Sequence, residues 1–146
     1  AGLQLIWQTG KTDAGRWKEM AKGKDNVWVD EFITNMQQAY AAADIVISRA
    51  GAMAIAELCL VKKPVLFVPY PFAAEDHQTV NAQHVVQKGA ALMVKDSEAR
   101  EKVVPAIIAL AGDEQQQQVL MKNMAGLGVS DADKRIADEI LNSLRS

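Results

Sequence analysis

Short, nearly continuous apolar runs occur at residues 3–7, 26–29, 45–48, 65–68 and 91–94. Runs of this length suit strands covered on both faces. Between them, residues 15–21, 52–60 and 79–87 carry helical patterns, and Phe32, Met36 and Tyr40 recur every four residues, predicting a helix over 32–42. Pro64 and Pro69 bracket the fourth strand, and Gly89 closes the helix before the fifth. Alternation of this kind predicts an α/β fold with a doubly wound parallel sheet. Beyond Asp96 the pattern becomes helical, at 98–111, 114–127 and 131–144, with Ser130 and Asp133 placed to cap the last helix. The glutamine run at 115–118 reads as a solvated helix face. No linker divides the chain, so a single domain over 1–146 is expected.

Composition narrows the function classes. At 146 residues and 49% hydrophobic content, the chain can bury one ordinary core. Sixteen Lys and Arg against eighteen Asp and Glu leave a formal charge of -2, with no basic tract, so nucleic acid is not an expected partner. Cys59 stands alone, which excludes an internal disulfide and predicts a buried, reduced thiol. No apolar run approaches a membrane span and no signal peptide opens the chain. Its start at Ala1 without Met reads as a piece of a longer protein.

Candidate chemistry gathers after the strands. Gly51 follows the run Ile45, Val46, Ile47 and precedes a helical stretch, where a sharp turn is expected to use glycine's backbone freedom. The first helical turn presents N–H groups that lack intrahelical partners and attract an anion such as phosphate. Glu57, expected to point inward from that helix, lies about 9 Å further along the axis, roughly the distance from a diphosphate to its ribose. In an open α/β sheet, ligands collect at the carboxyl ends of strands. Residues 30–33, 49–54 and 70–78 follow the second, third and fourth strands and are expected to face one crevice. A glycine at a strand-to-helix turn also serves close packing, so this turn alone leaves both readings open.

The stretches LIWQTGK near Leu5 to Lys11, VDEFI at 29–33, ADIVISRAGAM at 43–53, KPVLFVP at 63–69 and AEDHQTVNA at 74–82 are collinear. Together they resemble the donor-binding, C-terminal domain of the MurG family, bacterial UDP-N-acetylglucosamine (UDP-GlcNAc) transferases of peptidoglycan synthesis. The resemblance implies a Rossmann-like half of a GT-B glycosyltransferase, incomplete at its N-terminus. Its glycine-rich first strand would be missing, and self-association through the exposed edge is expected. The other half, which would bind the lipid acceptor, lies outside this chain. The implied reaction is inverting transfer of GlcNAc from UDP-GlcNAc to lipid I, giving lipid II, at the cytoplasmic side of the bacterial inner membrane by a peripheral protein. The isolated chain is expected to bind donor at best, and not to turn over.

The same resemblance implies the site. Ile33 would meet uracil through its backbone, with Phe32 beside it. Gly51, Ala52, Met53 and Ala54 would take the diphosphate, Glu57 the ribose hydroxyls, and Gln78 the sugar hydroxyls. His77 and Asn81 would border the sugar. Ala54 stands where the family often has a hydroxyl residue, which removes a hydrogen bond worth about 1 kcal/mol, and His77 stands where some members have a second Gln. No catalytic residue is assigned here, because the general base would belong to the other half. The resemblance implies no metal or other cofactor, since the helix N-terminus can stabilise the negative charge growing on the diphosphate, and the sequence agrees in lacking a D-x-D pattern near the predicted crevice. Arg49 is open between pairing with an acid and leaning toward phosphate. His77 and His84 read more plainly as helix-surface residues, and Glu75 and Asp76 as acids favoured at a helix start. Two alternatives remain at this stage: the donor domain of another GT-B UDP-sugar transferase, such as a glycolipid synthase, and a non-catalytic α/β interaction module.

Overall fold

The computed structural model describes residues 2–72 and 76–128. The predicted cap at Ser130 and Asp133, the helix at 131–144 and Glu75 lie outside these residues. The chain packs as two compact units, Ala1–Asp44 and Ile45–Ser146.

The first unit is a parallel βαβ arrangement followed by a helix. Strand β1 (Leu5–Gln8) pairs in parallel with β2 (Val27–Asp30), with Leu5 opposite Val27 and Gln8 opposite Asp30. The pairing runs past the strands, since Thr9 and Gly10 donate to the carbonyls of Asp30 and Glu31. Helix α1 (Ala14–Ala21) makes the crossover, and its Trp17 ring lies 4.9 Å from that of Trp7. Helix α2 (Met36–Ala42) ends the unit.

The expected helix over 32–42 is therefore shorter by its first turn. Asn35 caps α2, its side chain accepting from the Gln38 N–H at 3.0 Å. This local acceptor offers the backbone a start point that the Phe32–Met36–Tyr40 spacing conceals. Phe32 falls in the loop and is 67% exposed.

The second unit carries three parallel strands in the order β3 (Val46–Ser48), β4 (Val65–Phe67), β5 (Leu92–Met93). Val65, Leu66 and Phe67 of the central strand are completely buried, which explains its unbroken apolar sequence. Helix α3 (Ala52–Val61) joins β3 to β4, and α4 (His77–Gln87) precedes β5. After a short 3-10 turn at Asp96–Glu98 come α5 (Ala99–Ala111) and α6 (Glu114–Leu127). Leu58, Phe67, Leu110 and Met124 fill the core of this unit, and the Cys59 thiol, raised in pKa by burial, lies 3.6 Å from the Met124 sulfur.

Both units have the parallel, helix-flanked organisation of a Rossmann-like fold. The glutamine run is solvated except at Gln117, whose amide donates to the Leu110 carbonyl at 2.8 Å and ties α6 to α5. Gly89 closes α4 at φ +64°, where a Cβ would come within 3.0 Å of the Asn123 amide nitrogen. That amide donates to the Gly89 carbonyl at 2.9 Å, so glycine here meets both a conformational and a packing demand.

Candidate functional site

Gly51 is the N-cap of α3, at φ -66° and ψ 149°. This is extended backbone that any residue adopts, so the conformational freedom expected of Gly51 is not used. Nor is space short within the protein: a Cβ at Gly51 would have only the Gln78 Nε2 near it, at 3.9 Å. No side chain caps α3 and its first turn holds no acid. Ala52 and Met53 are exposed there, Met53 by 85%, and Ala54 is half-buried. The arrangement is an open helix N-terminus whose amides carry partial positive charge, with a glycine leaving the approach clear.

Helix α4 holds the turn before Gly51. The Gln78 Oε1 accepts from the Ala50 N–H at 3.1 Å and from the Tyr70 N–H at 3.0 Å. Two donors on one atom fix the amide orientation, leaving Nε2 as the donor toward Gly51. Asn81, one turn further on α4, donates to the Ala50 carbonyl at 3.2 Å. Both polar groups of the fully buried Ala50 are thus satisfied from α4. Gln78, expected to address a ligand, therefore also joins the β3–α3 and β4–α4 connections.

Arg49 resolves toward an acid. Its Nη1 pairs with Asp96 and donates to the carbonyls of Val68 at 3.1 Å and Pro69 at 3.3 Å. The guanidinium carbon lies 5.6 Å from the centre of the Tyr70 ring, which meets Phe72 edge-on at 5.7 Å. Asp96 carries no signal in the sequence beyond following a strand, and it enters the site only through this contact.

Glu57 lies two turns into α3 and is exposed, on the same side as Met53 and Leu60, rather than turned into the core. His77, the first residue of α4, is exposed, as is His84 on the same helix.

Ile33 and Phe32 belong to the first unit. There a cavity of about 410 Å³ opens between the β1–β2 face and the start of α2, lined by Ile6, Trp28, Phe32, Ile33 and polar groups including Asn35 and Gln38. The Ile33 N–H donates to the Gln8 Oε1 at 2.8 Å. Asp30 at the cavity edge pairs with Lys18 at 2.7 Å. The Lys18 hydrogen bond and then the Glu31 N–H hold the Asp30 carboxyl below its ordinary pKa, while Asp30 raises that of Lys18. Among the described residues, no three His, Cys, Asp or Glu side chains gather as a metal site.

Residues 1–136 match the glycosyltransferase family 28 C-terminal domain. The chain is 45% identical over 142 residues to a UDP-N-acetylglucosamine–N-acetylmuramyl-(pentapeptide) pyrophosphoryl-undecaprenol N-acetylglucosamine transferase of Parabacteroides distasonis, covering 95% of this chain and 38% of that protein. An enzyme of the same name from Flavobacterium psychrophilum is 44% identical over 144 residues, covering 99% of this chain and 39% of the relative. The chain thus spans about two fifths of the length of these relatives. The crystal structure of Acinetobacter baumannii MurG superposes with a TM-score of 0.80 at 27% identity, over 96% of this chain and 41% of that one. The chain belongs to the family of glycosyltransferase family 28 C-terminal domains, the part of the GT-B fold in which MurG is its structural counterpart.

Proposed function

We propose that this chain is the UDP-GlcNAc-binding part of an inverting transferase that moves GlcNAc onto lipid I to form lipid II. The observation that carries this reading is Gly51: neither its backbone angles nor its neighbours require glycine, yet it stands at the open N-terminus of α3. A diphosphate approaching the amides of Ala52, Met53 and Ala54 gives the missing side chain a reason. The names of the relatives supply the donor and acceptor chemistry, and lipid I would bind the part of the protein that this chain does not span.

In this reading the acceptor hydroxyl attacks C1 of GlcNAc as UDP departs, inverting the anomeric centre. The α3 N-terminus stabilises the negative charge that grows on the leaving diphosphate, which is electrostatic help of the oxyanion-hole kind and requires no metal. Glu57 accepts hydrogen bonds from the ribose diol. Gln78 offers Nε2 to the sugar, with His77 and Asn81 at its border. No group on this chain is assigned the acceptor's proton. The protein would work peripherally at the cytoplasmic face of the membrane; among the described residues no helix is long and apolar enough to cross one.

The test is titration of UDP and UDP-GlcNAc into the full-length protein by calorimetry. Saturable binding of both without added metal is expected. Absence of binding to an intact fold would leave the chain as a non-catalytic module.

A further inference from the structure

We propose that Arg49 and Asp96 are positioning residues for the diphosphate subsite, a role that rests on the donor-binding reading above. Arg49 is the first residue after β3, Val68 and Pro69 follow β4, and Asp96 lies just beyond β5. One guanidinium nitrogen joins all of these, through the carbonyls of Val68 and Pro69 and the carboxylate of Asp96. It therefore ties together the segments leaving the carboxyl ends of all three strands in this sheet.

Those segments build the subsite. Arg49 leads into Ala50 and Gly51, and Pro69 leads into Tyr70. The N–H groups of Ala50 and Tyr70 both end on the Gln78 Oε1, at 3.1 Å and 3.0 Å. Arg49, the Val68–Pro69 backbone, Tyr70, Gln78 and Ala50 thus form a closed ring of contacts, with Asp96 bonded to its only side-chain cation. The ring fixes the Ala50–Gly51 turn, and with it the direction of the α3 amides that a diphosphate would approach. Asp96 also occupies the charge of Arg49, so the cation serves the frame and leaves the anion to the α3 amides. Arginine suits this because its planar guanidinium lies over the Tyr70 ring while Nη1 meets all three acceptors, whereas a lysine ammonium has no plane to stack.

The experiment measures UDP and uridine binding to the full-length protein carrying Asp96→Ala, Asp96→Asn or Arg49→Lys, with KM for donor, kcat and melting temperature alongside. Asp96→Ala and Arg49→Lys are expected to weaken UDP roughly tenfold, raise the donor KM, lower kcat because the same turn stabilises the charge growing on the departing diphosphate, and leave uridine binding near its original value. Asp96→Asn, which keeps an oxygen for Arg49, recovers most of the loss. Wild-type UDP affinity in both Asp96→Ala and Arg49→Lys overturns the proposal while leaving donor binding intact. Tighter UDP binding by Asp96→Ala also overturns it, by showing that Arg49 is a phosphate ligand masked by Asp96. Equal loss of UDP and uridine in all three variants overturns it as general unfolding. Failure of the unsubstituted protein to bind UDP removes the donor-binding reading itself.

Discussion

The side-chain oxygen of Gln78 accepts the backbone N–H of Ala50 at 3.1 Å, so a residue on α4 determines how the chain enters α3. Ala50 is completely buried, so its N–H depends on that acceptor. Gln78→Ala leaves the N–H unpaired and is expected to destabilise the protein by about 1–3 kcal/mol, measured by urea unfolding. Its UDP affinity should fall because the turn serving the diphosphate is disturbed, and its UDP-GlcNAc affinity should fall further, because the sugar also loses the Gln78 Nε2. A loss confined to UDP-GlcNAc would instead assign Gln78 to the sugar alone, as the sequence by itself suggests.

Glu57 is exposed on α3, beyond the turn that meets the diphosphate. Glu57→Ala should weaken UDP and UDP-GlcNAc equally, by about 1–2 kcal/mol for lost hydrogen bonds to a charged acceptor, with little change in melting temperature. Calorimetric titration of both ligands checks this, and unchanged UDP affinity would take Glu57 out of the site.

The Lys18–Asp30 pair gives a prediction in pH. Asp30 has its carboxyl pKa lowered from 3.8, first by the Lys18 hydrogen bond and then by the Glu31 N–H. A carboxyl depressed on folding stabilises the native state above its unfolded pKa, and that contribution disappears as pH falls through the folded value. Lys18→Met should therefore raise the Asp30 pKa toward 3.8, read by NMR titration of the side-chain carboxyl, and flatten the loss of stability in this acidic window. An Asp30 titration that does not move would show that the pair is not formed in solution.

Gly89 offers a control remote from the proposed ligand. At φ +64°, with a Cβ position 3.0 Å from the Asn123 amide, Gly89→Ala should cost about 1–2 kcal/mol of stability. Thermal melts should show the loss while UDP affinity in the folded protein stays unchanged.

Each strand was legible as a short apolar run: the runs at 45–48, 65–68 and 91–94 contain β3, β4 and β5, while β1 and β2 end one residue beyond theirs, at Gln8 and Asp30. Strand β4 is buried throughout, but β1 is largely exposed, so its run does not mark a strand covered on both faces. The Phe32–Met36–Tyr40 spacing misled at the start of α2, although Asn35, with Gln38 three residues on, was a readable capping signal. Candidate residues near Gly51 could be named from residue type and resemblance. Their structural duties could not, because the contacts join positions far apart in sequence: Ala50 with Gln78 across 28 residues, and Arg49 with Asp96 across 47. No periodicity records such pairs. The angles at Gly51 were equally hidden, and they leave clearance for a ligand, not conformational freedom, as what glycine supplies there.

The central claim is that clearance, and Gly51→Ala measures it most directly in the full-length protein. The backbone at φ -66° accepts alanine, and the new methyl would meet only the Gln78 amide, at 3.9 Å. The loss of glycine as an N-cap and the gain from a less flexible unfolded chain oppose each other, so stability should shift by less than about 1 kcal/mol. UDP affinity, determined by calorimetry beside the unsubstituted protein, should fall at least tenfold while uridine binding is retained. If Gly51→Ala binds UDP as tightly as the original, the space over the α3 N-terminus does not hold the diphosphate, and the account of this site is wrong.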